Sequence, residues 1–229
     1  MDRNRDGLDE GGDGNDASCG RRLLVLARHG QSEGNRDNIF TGWRDLPLTQ
    51  QGMDEARQAG LHLKNLDIRV DAAFSSELIR ASDSCELMLD YMKQGSVAVR
   101  RNAALNERDY GDLTGLDKDK ARSRFGTEQV HVWRRAYAVA PPNGESLRDT
   151  IARVLPFYVR EILPAVMRGN ATLVVAHGNS LRALMFVLEG FSTEEITKVE
   201  LGTAEMRIYR LREDTQAKLE RRWAVGNTQ

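Results

Sequence analysis

The 229-residue chain carries only four histidines, and two of them share a context. Each ends an apolar run and is followed by glycine: Val25-Leu26-Ala27-Arg28-His29-Gly30 and Val174-Val175-Ala176-His177-Gly178. Glycine there lets backbone N–H groups approach an anion closely. In open α/β sheets, ligands collect beyond the carboxyl ends of strands, so both imidazoles are aimed at one place. Arg28 abuts the first histidine, and Arg80 follows Ser75-Ser76 at another expected strand end. A guanidinium grips phosphate through two parallel hydrogen bonds, so this set reads as a phosphoryl site with His29 as the nucleophile toward phosphorus. To attack, the imidazole must be neutral, with one nitrogen free and the other oriented by a hydrogen bond, for example to a backbone carbonyl. A metal centre is the competing reading and fits worse. The chain has no HxH, HExxH or Cys/His cluster, and Arg28 beside His29 would repel a cation. Glu107, in Leu105-Asn106-Glu107-Arg108-Asp109-Tyr110-Gly111, is the carboxylate best suited to move a proton on a substrate hydroxyl. On residue type alone Glu107 also reads as a surface loop group, and Arg134-Arg135 as a solvated helix face.

Strand-like and helix-like patterns alternate from residue 22 onward. Residues 22–27 form a continuous apolar run, as in a strand covered on both faces. Thr49 precedes an amphipathic helix over 50–65, and 70–74 is a short strand before a helix over about 77–93. Residues 97–100 give a weaker strand, and the polar, Gly-rich 106–126 reads as loop plus a short helix. Pro141-Pro142-Asn143-Gly144 is a break. Ser146 then opens a helix in which Pro156 predicts a kink. Residues 171–176 are the second strong strand, 180–189 the helix after it, and 206–211 alternate like an edge strand. Strands separated by helices predict a three-layer α/β/α domain with a largely parallel central sheet.

Composition excludes several partners. Lys+Arg 33 against Asp+Glu 34 leaves no basic bias for nucleic acid or acidic membranes. No apolar run approaches the roughly 18 residues of a membrane span. Cys19 and Cys85 make no disulfide framework, which suits a reducing, cytoplasmic setting. Residues 1–20 are rich in Gly, Asp and Asn with little to bury, and read as a disordered extension ahead of a catalytic domain over 21–212 and a tail over 213–229.

From about Leu23 to Leu211 the chain resembles the cofactor-dependent phosphoglycerate mutases, a branch of the histidine phosphatase superfamily. The matching stretches are RHGQSEGN, FTGWRDLPLT, LNERDYGDLTGLDK, QVHVWRRAY, PPNGESL and AHGNSLRAL. RHG alone specifies only the superfamily; the ordered set points to the mutases. The resemblance implies a phosphoglycerate mutase-like fold and a phosphohistidine on His29. It implies that Arg28, Arg80 and His177 bind the phosphoryl group, and that Glu107 shuttles the proton. Ser32, Asn35, Thr41, Gly42, Tyr110, Lys118, Arg134, Arg135, Gly178 and Asn179 would hold the phosphoglycerate. It also implies that 2,3-bisphosphoglycerate primes the histidine and that 3- and 2-phosphoglycerate interconvert without metal, in glycolysis and gluconeogenesis. Homo-oligomer and monomer both stay open. A small-molecule phosphatase and a non-catalytic phosphate-binding relative are the alternatives.

Three departures stand out. Gly34 replaces the family's usual tryptophan, which predicts a looser, wetter loop that leaks phosphoryl groups to water. Thr203-Ala204-Glu205-Met206 stands where the family reads much like T-G-x-P, and the 142–145 junction is tight. The C-terminal segment with Lys218, Arg221, Arg222 and Trp223 would either cover the site or fray.

Overall fold

The computed structural model describes residues 21–226. The expected disordered extension over 1–20 lies outside the described residues. In chain order the elements are β1 (Leu23–Arg28), α1 (Glu33–Arg36), α2 (Gln50–Asn65), β2 (Ala72–Ser75), α3 (Ile79–Tyr91) and β3 (Val99–Arg101). These are followed by α4 (Lys118–Phe125), α5 (Thr127–Arg135), α6 (Leu147–Phe157), α7 (Leu163–Arg168), β4 (Ala171–Ala176), α8 (Gly178–Leu188), α9 (Thr193–Lys198), β5 (Met206–Leu211) and β6 (Ala217–Trp223).

The strands form one six-stranded sheet in the order β3-β2-β4-β1-β5-β6. Four of them, β3, β2, β4 and β1, run parallel, while β5 and β6 join antiparallel. Alternation along β1 divides the core between the two faces of the sheet. Leu23, Val25 and Ala27 pack with Ala56, Ala59 and Leu63 of α2 and with Met88 and Leu89 of α3. Leu24 and Leu26 pack with Ile151 and Val154 of α6 and with Leu181 and Leu184 of α8. Both faces are covered, which is the expected three-layer arrangement and the reason β1 and β4 are apolar almost throughout.

Local signals set the helix starts. The Thr49 hydroxyl accepts from Gly52 N–H at the start of α2, and Ser146 and Asp149 form a reciprocal capping box at the start of α6. The expected kink at Pro156 takes another form. Pro156 stays inside α6, and a π-helical turn over Tyr158–Ile162 follows it before α7, which carries a proline in its first turn. A wider turn accommodates a break in the i to i−4 ladder without ending the helix.

Two expectations are corrected. β5 is not an edge strand: it is flanked by β1 and β6, and the edge at that end is β6. Residues 217–223 are neither a frayed tail nor a cover over the site, because they pair with β5 through the register Met206↔Trp223 to Leu211↔Ala217. Their alternation is hidden by charge, since Lys218, Glu220, Arg221 and Arg222 are all exposed on this outer strand.

Candidate active site

β1 and β4 pair in parallel with Arg28 opposite Ala176, so the next residue of each strand leaves the sheet at the same level. His29 and His177 therefore lie side by side, with ring centroids 4.9 Å apart and planes tilted by 58°. Both are buried. His29 Nδ1 lies 2.7 Å from the carbonyl oxygen of Gly30. That oxygen can only accept, so Nδ1 carries the proton and Nε2 keeps its lone pair. Burial first, then the charges of Arg80 and Arg28, hold the His29 pKa well below that of a free imidazole. The ring is thus neutral and oriented, the state that attack on phosphorus would need.

Gly30 cannot be replaced in this arrangement, since a Cβ there would lie 2.0 Å from the carbonyl oxygen of Gly52. Its N–H donates to Ser84 Oγ at 3.0 Å, and Ser84 donates to the Arg80 carbonyl at 2.7 Å. The support of His29 is thereby tied to the helix that carries Arg80. His177 Nε2 lies 2.7 Å from the Ser76 hydroxyl, and its Nδ1 is buried without a partner among the described residues. Burial, then Arg80, His29 and Arg28, lower its pKa well below the ordinary value.

Arg80 is buried on the first turn of α3, its guanidinium held by the carbonyls of Gly42 and Arg44, each at 2.9 Å. Burial brings its pKa down to about 10. Arg28 donates from Nη1 to the Leu201 carbonyl at 2.6 Å, while its Nε has no partner among the described residues. Glu107 sits across from them. Its Oε1 accepts from the N–H of Arg108 at 2.7 Å, and from the N–H and Nδ2 of Asn179 at 3.2 and 2.9 Å. Burial alone would raise the Glu107 pKa, but these hydrogen bonds and the charges of Arg80 and Arg28 outweigh it and lower it. Its backbone carbonyl accepts from Trp43 Nε1 at 2.6 Å and from Arg153 Nη2 at 3.2 Å.

One cavity gathers most of the residues read from the sequence. Its wall contains Arg28, His29, Asn35, Thr41, Gly42, Arg80 and Glu107, together with Tyr110, Lys118, Arg134, Arg135, Gly178 and Asn179. Arg134 and Arg135 end α5 and turn inward, so they are not a solvated helix face. Two expected residues are off the wall. Ser32 is buried and caps α1, accepting from Asn35 N–H and donating to Asn35 Oδ1, so it holds a wall residue and does not line the cavity itself. His177 is fully buried beside His29 and is not part of the wall.

Sequence reasoning missed Ile39, Phe40, Arg182, Glu200 and Leu201. Arg182 could have been found, because it follows Asn179 by three residues on one helix face. Glu200 and Leu201 lie on an irregular segment after α9, which carries no such signal. The wall holds six cationic side chains (Arg28, Arg80, Lys118, Arg134, Arg135 and Arg182) against the carboxylates of Glu107 and Glu200. Glu200 is paired with Arg135. Burial first, and then the charge of the neighbouring Arg134, lower the Lys118 pKa.

The departures also find their places. Gly34 is buried in α1, and a Cβ there would meet Thr41 Oγ1 at 2.5 Å and Leu46 Cδ1 at 3.2 Å. The loop is tightly packed, contrary to the looser, wetter one expected. Ala204 holds φ at 54° and donates its N–H to the His29 carbonyl at 3.2 Å, and Glu205 accepts from Arg28 N–H at 3.0 Å. This stretch clamps the backbone around His29. The tight 142–145 junction closes with Gly144 N–H donating to the Pro141 carbonyl at 3.0 Å.

Residues 24–224 match the model of the histidine phosphatase superfamily (branch 1). The chain is 60% identical over 194 residues to a 2,3-bisphosphoglycerate-dependent phosphoglycerate mutase of Bradyrhizobium sp. (strain BTAi1), covering 85% of this chain and 94% of that protein. It is 61% identical over 193 residues to the protein of the same name from Afipia carboxidovorans, covering 84% and 93%. Among solved structures, a mycobacterial glucosyl-3-phosphoglycerate phosphatase in complex with VO3 superposes with a TM-score of 0.76 at 25% identity, covering 89% and 99%. With the paired strand-end histidines and the cationic wall in place, these matches settle the kinship: the chain belongs to branch 1 of the histidine phosphatase superfamily.

Proposed function

We propose that the protein interconverts 3-phosphoglycerate and 2-phosphoglycerate through a phosphohistidine on His29. The observation that carries this reading is about 60% identity, across more than nine-tenths of their length, to proteins named as such mutases. The cavity supports it, because a phosphoglycerate presents a phosphate and a carboxylate, and the wall offers cations in two places. Arg28 and Arg80 stand with His29, while Lys118, Arg134, Arg135 and Arg182 line the remainder.

The residues also fit 2,3-bisphosphoglycerate, whose two phosphates need more cations than one phosphate would. Arg28 Nε and His177 Nδ1 are buried polar atoms without partners among the described residues. When bound, the bisphosphate supplies the phosphoryl group that charges His29. With His29 charged, the Glu107 carboxylate takes the proton of a substrate hydroxyl as that oxygen bonds to phosphorus. The N–P bond breaks and His29 Nε2 recovers its lone pair. In the reverse half, His29 Nε2 attacks phosphorus at the other carbon, and Glu107 returns the proton to the departing oxygen. Arg28, Arg80 and, with Ser76 donating to its Nε2, the Nδ1–H of His177 stabilise the charge on the transferring group. Burial of both histidines keeps water from competing for it.

A second reading, a small-molecule phosphatase, draws on the fold shared with the glucosyl-3-phosphoglycerate phosphatase. A coupled assay that compares isomerisation with free-phosphate release separates the two. The mutase reading expects isomerisation to dominate, with an acid-labile label on the protein after 2,3-bisphosphoglycerate treatment. Label that survives His29→Ala, or phosphate release without isomerisation, overturns it.

A further inference from the structure

Arg182 stands in the wall of the site, on α8 one turn beyond Asn179. Its Nη1 donates to Asn179 Oδ1 at 3.0 Å, and its Nε donates to the Val199 carbonyl at 2.7 Å. On its other side Asn179 donates from Nδ2 to Glu107 Oε1 at 2.9 Å. A carboxamide has one accepting and one donating end, and the two are interchanged by a half-turn. A guanidinium can only donate. An ionised carboxylate can only accept. With both partners in place, a single orientation of the amide satisfies them, and the flipped one sets N–H against N–H and oxygen against oxygen.

We propose that Arg182 is a positioning residue for Glu107, fixing the Asn179 amide so that its N–H end faces the carboxylate. This rests on the reading of Glu107 as the group that moves the substrate proton. A carboxylate supplied with N–H donors stays ionised and ready to accept that proton, whereas one facing an amide oxygen is driven to hold a proton of its own. Asn179 also contributes its backbone N–H at 3.2 Å, at the start of α8, where the helix end favours negative charge. The charged and titratable groups facing Glu107 are Arg28 from β1, Arg80 from α3, Arg182 from α8, and Tyr110 from its own loop. Arg28 and Arg80 act on Glu107 by charge alone, and Arg182 acts through an oriented hydrogen bond as well. The Arg182 pKa, brought down to about 10 chiefly by burial, still leaves it a cation at neutral pH.

The test is a carboxyl ¹³C NMR titration of Glu107 in the free, full-length protein, with the resonance assigned by its loss in Glu107→Gln. It needs no turnover, so failure of the mutase reading in the coupled assay leaves this result intact. Arg182→Met should move the Glu107 midpoint to higher pH, and Arg182→Lys, which can also only donate, should restore it. In an Asn179→Leu background the Arg182→Met shift should shrink to the smaller part that the charge of Arg182 carries by itself. An unchanged midpoint in Arg182→Met overturns the proposal. So does a shift that persists undiminished without the Asn179 amide, because Arg182 would then act by charge alone. Should Arg182→Met fail to fold, Arg182→Gln, whose own amide tolerates a flipped Asn179, should give the same upward shift, and no shift there overturns the proposal too.

Discussion

Glu107 lies on a segment held from outside, and the replacement Arg153→Met should release it. The Arg153 guanidinium, on α6, donates to the carbonyls of Ala103 (3.3 Å), Ala104 (2.9 Å), Asn106 (3.1 Å) and Glu107 (3.2 Å). It also grips Glu145 through Nε at 2.9 Å and Nη2 at 2.8 Å, and Glu145 in turn accepts from Asp109 N–H at 3.0 Å. Breaking a buried pair by removing one partner costs about 3–5 kcal/mol. Here the two side chains are 18% and 21% exposed, so water recovers part of that loss. The lower end, about 3 kcal/mol, is the expected destabilisation, a large share of the roughly 5–15 kcal/mol by which domains are stable. Urea unfolding at constant slope measures it. A cycle with Glu145→Leu should show the two losses falling short of additive by about 1–2 kcal/mol, because the second change finds the pair already broken. The same variant should lower kcat more than it raises KM, since the carbonyl it releases belongs to Glu107. A loss below about 1 kcal/mol together with additive single changes would refute the reasoning, showing that Trp43 and the local turns alone hold the loop.

Two other perturbations follow from the same geometry. Gly34→Trp, which restores the residue usual in the resembling family, should destabilise the protein by about 1–3 kcal/mol and raise KM. The new side chain must displace Thr41 from the cavity wall. Tighter substrate binding in a kinetic assay would contradict this. Stability should also fall as pH drops below about 6.5, because the unfolded chain then protonates at His29 and His177 while the folded state resists. The slope is at most about 1.4 kcal/mol per pH unit for each histidine, and urea unfolding from roughly pH 7.5 to roughly pH 5.5 reads it. An equal slope in His29→Gln/His177→Gln would assign the loss to other groups.

Much of the site was legible because its residues are local to strand ends. An apolar run that stops at His-Gly states both where the strand ends and what it presents, and two such runs predict a shared site once the sheet is parallel. Ser32 lies off the wall, because a serine before a short helix caps it as readily as it meets a ligand. Gly34 was misjudged because a missing side chain reads as space in one dimension, whereas here Thr41 and Leu46 occupy that space. β6 was taken for a tail because an outer strand exposed to water needs little apolar alternation.

The sequence by itself determined the layered α/β order, the two strand-end imidazoles, and the guanidiniums of Arg28 and Arg80 set beside them. These follow from short-range rules: periodicity, capping, and the donor geometry of one side chain. Tertiary structure alone decided which nitrogen of His29 is free, since that depends on a carbonyl 2.7 Å away, and that Glu107 remains ionised although buried. It also decided that Arg182 and Glu200 share the wall and that β5 is interior. Protonation and burial are set by neighbours brought together across long stretches of chain, such as Asn179 on Glu107, and spacing along the sequence does not encode the direction in which those neighbours point.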